Sequence, residues 1–124
     1  MNKKVAFITG AGRGIGREIA RKLASEGMRI AVTDINLENA EETAALIREE
    51  GGEAIAVYCD VTKLKNVEEA VNETLKHYEK IDVLVNNAGW DKIEPFLESR
   101  PETWKKIIDI NLMGQVHTCK IILP

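Results

Sequence analysis

TGAGRGIG, residues 9–16, follows directly on the apolar run VAFI at residues 5–8, so a strand feeds a turn with four glycines in eight positions. Glycine loses more backbone freedom on folding than any other residue, and such a density is costly unless bare backbone is needed there. Beyond the turn, Ile15, Ile19 and Leu23 recur at three-to-four spacing, the period of a helix with one apolar stripe. The stretch reads as strand, glycine turn, helix.

The same alternation continues along the chain. KVAFIT (4–9), RIAVTD (29–34), EAIAVYC (53–59) and IDVLVNN (81–87) are nearly continuous apolar runs, the pattern of strands covered on both faces. Between them Leu37, Ala40, Ala44 and Ile47 mark a second helix, and Val67, Val71, Leu75 and Tyr78 a third. Gly27 and the Gly51-Gly52 pair supply helix stops, and the Thr62 hydroxyl suits the cap of the third helix. A fourth helix starts near Pro101 and runs through Trp104, Ile107, Ile108, Leu112, Val116 and Cys119 to Ile122. Residues 88–100 form the one long loop. Right-handed crossovers between parallel strands then predict a doubly wound α/β sheet of the Rossmann type, strand order 3-2-1-4, helices on both faces, in one domain over residues 1–124. Its ligand crevice lies between strands 1 and 4, where the winding reverses.

Composition narrows the partners. With 44% hydrophobic and 30% charged residues the chain can bury a core, which excludes the disordered class. A net charge of −3 offers no positive field for nucleic acid. No stretch approaches the roughly 20 apolar residues of a membrane span, and MNKKVAFITG turns polar too soon for a signal peptide. The expectation is a cytoplasmic protein without nucleic-acid or membrane partners. Cys59 and Cys119 lack CxxC spacing, and His77 and His117 lack ligating neighbours, so two buried reduced thiols and no metal site are expected.

A glycine turn between a strand and a helix start exposes main-chain amides and the positive end of a helix dipole to an anion. Gly10 permits the sharp turn, Gly14 admits a diphosphate to the backbone, and Gly16 lets the helix lie close on the sheet. The GxGxxG template fails, because Ile15 stands where its last glycine belongs, and the GK[ST] of a P-loop is absent; T-G-x-x-x-G-x-G fits, on Thr9, Gly10, Gly14 and Gly16. Alone, this turn is also compatible, as the lesser alternative, with a plain tight connection. Three further features bear on it. Asp34 ends strand 2, about 20 residues on, where a carboxylate accepts from both hydroxyls of an adenine ribose and repels a 2′-phosphate; it is also placed to cap the next helix. Arg13 points the other way, since a guanidinium can pair a 2′-phosphate. With apolar Ile35 following Asp34, the balance favours NAD over NADP. Asp60, in CDVT, can accept from an adenine amino group or start a helix. NNAG, residues 86–89, closes strand 4 with small residues that leave room for a flat ring.

Taken together, TGAGRGIG, Asp34, DVT, NNAG and the asparagine of DINLMG resemble, in order and spacing, the short-chain dehydrogenases/reductases of the classical type, and the similarity covers the whole chain. The resemblance implies that Gly10, Gly12, Arg13 and Ile15, with Gly14 and Gly16, line the diphosphate and adenosine side. It places the ribose on Asp34 and Ile35, the adenine on Asp60 and Val61, and the ribose nearer the nicotinamide on Asn87, Ala88 and Gly89. Asn111 resembles the family asparagine that kinks the fourth helix, its main-chain carbonyl holding a water of a proton relay. The implied activity is hydride transfer between a secondary alcohol and a ketone, with a small-molecule substrate. The loop WDKIEPFLESRP resembles that of 2-hydroxycyclohexanecarboxyl-CoA dehydrogenase-like members, with 3-oxoacyl reductases close by. There Trp90 and Phe96 either line an acyl pocket or pack the loop down.

One departure matters. Family members are about twice as long and carry a serine and a Tyr-x-x-x-Lys pair, whereas Tyr58 and Tyr78 here are followed four residues on by Thr62 and Asp82. Without a tyrosine proton donor, acid assistance of typically 10²–10⁴-fold is missing, so the expectation for these 124 residues is cofactor binding without useful turnover. The rival reading is a stand-alone nucleotide-binding or structural module; a flavodoxin-like phosphate binder is a third. Strand 4, left as an apolar sheet edge, and the fourth helix both point to a homo-oligomer.

Overall fold

The computed structural model describes residues 3–90, 92 and 94–123. Met1 and Asn2 of the polar start, Asp91 and Ile93 of the long loop, and Pro124 lie outside the described residues. Four parallel strands, β1 (Val5–Ile8), β2 (Arg29–Asp34), β3 (Glu53–Tyr58) and β4 (Val83–Val85), pair in the order β3-β2-β1-β4. The helices α1 (Gly14–Ser25), α2 (Leu37–Glu49) and α3 (Leu64–Tyr78) connect them. After β4 come a 3₁₀ turn (Phe96–Glu98), α4 (Pro101–Ile108), a π turn (Asp109–Met113) and α5 (Gly114–Ile122).

The sheet divides the core in two. On one face Ala6, Ile8, Ile30 and Val32 meet α1 and α2 through Ala20, Ala40, Ala44 and Ile47. On the other, Phe7, Ala31 and Val57 meet Val67, Ala70 and Val71 of α3, with Ile121 and Ile122 of α5 behind. All four residues of β1 are fully buried, which is why its sequence does not alternate. Asp82 fastens the opposite end of the sheet: its Oδ2 accepts from Val5 N at 2.8 Å and its own N–H donates to Val5 O at 2.8 Å. That hydrogen bond, then Lys80, holds the Asp82 carboxyl below its ordinary pKa.

Several local expectations change. The face of α1 that meets the sheet is Gly16, Ala20 and Ala24, while Ile15 is 75% exposed and Ile19 and Leu23 are only partly buried. Small side chains let the helix axis approach the strands, so the largest apolar residues of α1 fall to its flanks. Lys63, not Thr62, is the N-cap of α3, because the Thr62 hydroxyl donates instead to Asp60 Oδ1 at 2.7 Å. The fourth helix is not continuous: at the π turn Gly114 N donates to Asp109 O, five residues back. Gly27 and Gly51 take the positive φ values (94° and 90°) that their stop roles require.

Gly16 is the tightest point. A Cβ there would enter the Gly10 carbonyl and approach Asn87 Nδ2 to 2.5 Å. Gly16→Ala is expected to lower stability by about 3 kcal/mol, the upper part of the range for overpacking. Denaturant unfolding checks it, and a loss below about 0.5 kcal/mol would show that the helix can shift away.

Candidate functional site

At the carboxyl ends of the strands lies a cleft of about 1040 Å³. Gly10, Arg13, Gly14 and Ile15 line it from the glycine turn, Asp34 and Ile35 from the end of β2, and Cys59, Asp60, Val61 and Thr62 from the end of β3. Asn87, Ala88, Gly89 and Trp90 line it from the end of β4, and Glu102, Lys105, Lys106, Asp109 and Ile110 from α4 and the π turn. Of the residues expected to bind cofactor or serve the proton relay, Gly12, Gly16 and Asn111 are not on this surface.

The floor of the cleft is built on Thr9. Its buried hydroxyl oxygen accepts from Asn87 N and Ala88 N, both at 3.0 Å, and its own N–H donates to Val85 O at 3.1 Å. Asn87 Nδ2 donates to Gly10 O at 3.0 Å. These bonds lash NNAG to the glycine turn. Gly10 (φ 62°) and Gly14 (φ 57°) both take the left-handed conformation, and space around Gly14 is open, with nothing within 4 Å of a Cβ placed there.

Not every amide of the turn faces the cleft. Ala11 N donates to Thr33 O at 2.9 Å and Gly12 N to Asp34 Oδ2 at 2.9 Å. A Cβ on Gly12 would press on that carboxylate at 2.8 Å, so a glycine here lets the turn lie against Asp34. The amides without a helical acceptor are those of the first turn of α1, since Arg17 N is the first to reach back, to Arg13 O at 3.2 Å. Arg17 itself, which the motif did not single out, braces the turn: Nη2 donates to Gly12 O at 2.6 Å and Nε to Thr43 Oγ1 at 2.8 Å.

Asp34 is oriented at both oxygens, with Asn36 N donating to Oδ1 at 2.9 Å. Asn36, not Asp34, caps α2. Asp60 is held likewise: Thr62 N and Oγ1 donate to its Oδ1, and its own N–H donates to Asn66 Oδ1. Burial, then the neighbouring Asp60 charge, pushes the Cys59 thiol up to about 12, so it stays protonated near neutrality; Cys119 is only half-buried.

The α4–α5 segment reaches both lips of the cleft. Asn111 clamps Trp90 at two points, accepting from Trp90 N at 2.9 Å on Oδ1 and donating from Nδ2 to Trp90 O at 2.8 Å. Its side chain is thereby engaged, while its main-chain carbonyl sits in the widened π turn. Two turns on, His117 Nδ1 donates to Val61 O at 2.8 Å, and Gly114 leaves room for Val61, whose Cγ2 would lie 2.7 Å from a Cβ there. Thr118 Oγ1 donates to Asn86 Oδ1 at 2.5 Å. Phe96 does not reach the cleft; it stacks on Trp104, centroids 5.8 Å apart, and is 74% exposed.

A doubly wound domain with an open glycine turn at its switch point is the class this geometry defines. The comparisons agree. Residues 4–124 match the short chain dehydrogenase family. An uncharacterized oxidoreductase of Bacillus subtilis, YxjF, is 40% identical over 124 residues, all of this chain and 48% of the relative. A sorbitol dehydrogenase of Cereibacter sphaeroides is 41% identical over 122 residues, 98% of this chain and 46% of the relative. Among solved structures, a short chain dehydrogenase/reductase from Burkholderia phymatum in complex with NAD superposes with a TM-score of 0.95 at 34% identity, covering 99% of this chain and 44% of that one. The chain belongs to the short-chain dehydrogenase family. It spans about half the length of the curated relatives it matches.

His117 is expected to hold the end of β3. His117→Leu should cost about 1 kcal/mol and speed amide hydrogen exchange at residues 60–62, whereas His117→Asn, which keeps a donor in the same place, should restore both. Unchanged exchange at those amides in His117→Leu would show that Val61 is held without it.

Proposed function

We propose that this chain forms the cofactor-binding part of an NAD-dependent oxidoreductase that interconverts a secondary alcohol and a ketone. The observation that carries the reading is Asp34: its carboxylate is held by two main-chain amides, on the cleft surface, beside the open first turn of α1. Each oxygen keeps a lone pair for a ribose hydroxyl, and the fixed negative charge disfavours a 2′-phosphate.

The donor set suits a dinucleotide. Gly14 offers unobstructed backbone for a diphosphate, with the α1 dipole behind it. Val61 and Asp60 supply an apolar wall and an acceptor for adenine, and Asn87, Ala88 and Gly89 a narrow lip for the second ribose. NAD, when bound, supplies the hydride chemistry. The residues of this chain orient it, exclude water along Val61 and Trp90, and offer the Asn111 carbonyl to a water of the proton path. No Tyr-x-x-x-Lys occurs in the 124 residues, so binding without useful turnover is the reading for this chain alone. Trp90 on the cleft surface supports an acyl or hydroxyacyl substrate of the 3-oxoacyl type. No described helix is long and apolar enough to cross a membrane, and a cytoplasmic setting is part of the proposal.

Self-association belongs to it as well. Trp104, Ile108, Leu112 and Val116 leave an exposed apolar stripe along α4 and α5, which a two-fold axis would set against its own copy.

Calorimetric titration with NAD and NADP tests the cofactor reading. The parent chain is expected to bind NAD more tightly, and Asp34→Ala to narrow or reverse the preference, since Arg13 is then unopposed. Tighter NADP binding by the parent would overturn it. In sedimentation, the parent should associate and Leu112→Glu should shift it towards monomer; a monomer at high concentration would refute the stripe as a contact.

A further inference from the structure

One cation on the cleft wall is held by a neutral partner. Lys106 Nζ lies 3.9 Å from the centroid of the Trp90 ring, both residues face the cleft, and no ion pair engages Lys106 among the described residues. Its neighbour Lys105 is different, being tied to Asp109. The backbone of the residue that seats Lys106 is itself held, because Asn111 occupies both main-chain polar groups of Trp90.

The choice of partner has a chemical meaning. A carboxylate would cancel the ammonium charge and use up its donors. An indole face attracts the cation through its quadrupole and leaves the three N–H donors and the full charge free. The anchored carboxylates Asp34 and Asp60 belong to the ends of β2 and β3, whereas Lys106 stands beside Trp90 on the α4 wall, which also carries Glu102 and the ion-paired Lys105 and Asp109.

We propose that Lys106, seated on Trp90, is an anion subsite for the second ligand of the cleft, a keto or hydroxy compound that carries a carboxylate or phosphate. The indole flanks the apolar part of that ligand, and the ammonium takes its charged end. This inference rests on the oxidoreductase reading above, and names the substrate class for it.

The test uses the 124-residue chain, with and without saturating NAD, and ligand-observed NMR titration of two matched pairs. Acetoacetate is compared with its neutral methyl ester, and acetoacetyl-CoA with the neutral thioester S-acetoacetyl-N-acetylcysteamine. In the parent and in Lys106→Arg, at least one anionic member should bind about five-fold more tightly than its neutral counterpart, with the difference shrinking as salt is added. In Lys106→Met the two members of that pair should become equal while NAD affinity is unchanged. The acetoacetate arm reports a carboxylate ligand and the CoA arm a phosphate-bearing one. Equal binding within both pairs in the parent, no binding by any of the four, or a Lys106→Met loss that falls equally on NAD would overturn the subsite. Failure of NAD itself to bind, read in a separate titration, would instead remove the cofactor reading, and the anion preference measured without NAD would still decide this one.

Discussion

A single buried hydroxyl joins the two halves of the winding. Thr9 Oγ1 accepts from Asn87 N and Ala88 N, residues nearly 80 positions away, and so brings the end of β1 to the end of β4. Two part-buried amides depend on that oxygen, and leaving a donor unpaired costs up to about 1–3 kcal/mol where burial is complete. The cleft opens at this junction because helices leave β1 and β4 towards opposite faces of the sheet. Gly10, Gly14 and Asn87 owe their positions to it. Asp34 is tied in through Gly12, so the acidic lip is registered to the same turn.

The segment after β4 acts as a strut across the other side. Asn111, His117 and Thr118 hold Trp90, Val61 and Asn86 respectively, three points on the ends of β3 and β4. The first of these contacts is made from within the π turn and the other two from α5 beyond it. One extra residue in a turn rotates all that follows by about 100° relative to an unbroken helix, given 3.6 residues per turn. That rotation lets residues separated by only two turns address different parts of the cleft.

The architecture was legible because it rests on patterns that survive without tertiary information. Four apolar runs with helical periods between them define parallel strands, and right-handed crossovers leave one simple strand order. Asp34 and NNAG were readable because they end strands, and strand ends in this topology converge. Features settled by competition between partners were not readable. Thr62 has the chemistry of a helix cap, but its hydroxyl donates to Asp60. Ile15 has the right spacing for a core stripe, yet the helix approaches the sheet so closely that only Gly16, Ala20 and Ala24 fit beneath it. The bond from Gly12 N to Asp34 Oδ2 joins two motifs that the sequence shows only separately. His117, Arg17 and Thr118 carried no signal at all, since each bonds to a residue distant in sequence and none belongs to a motif.

The small-residue underside of α1 has a bearing on how the cleft meets an anion. A helix seated on Gly16, Ala20 and Ala24 cannot slide by one residue without forcing Arg17 or a longer side chain into the sheet. Its leading amides are thus immobilised when the chain folds, and little orientational entropy is left to lose when a ligand arrives. Affinity at that helix tip is set in advance by how closely Gly16, Ala20 and Ala24 let the helix pack on the sheet.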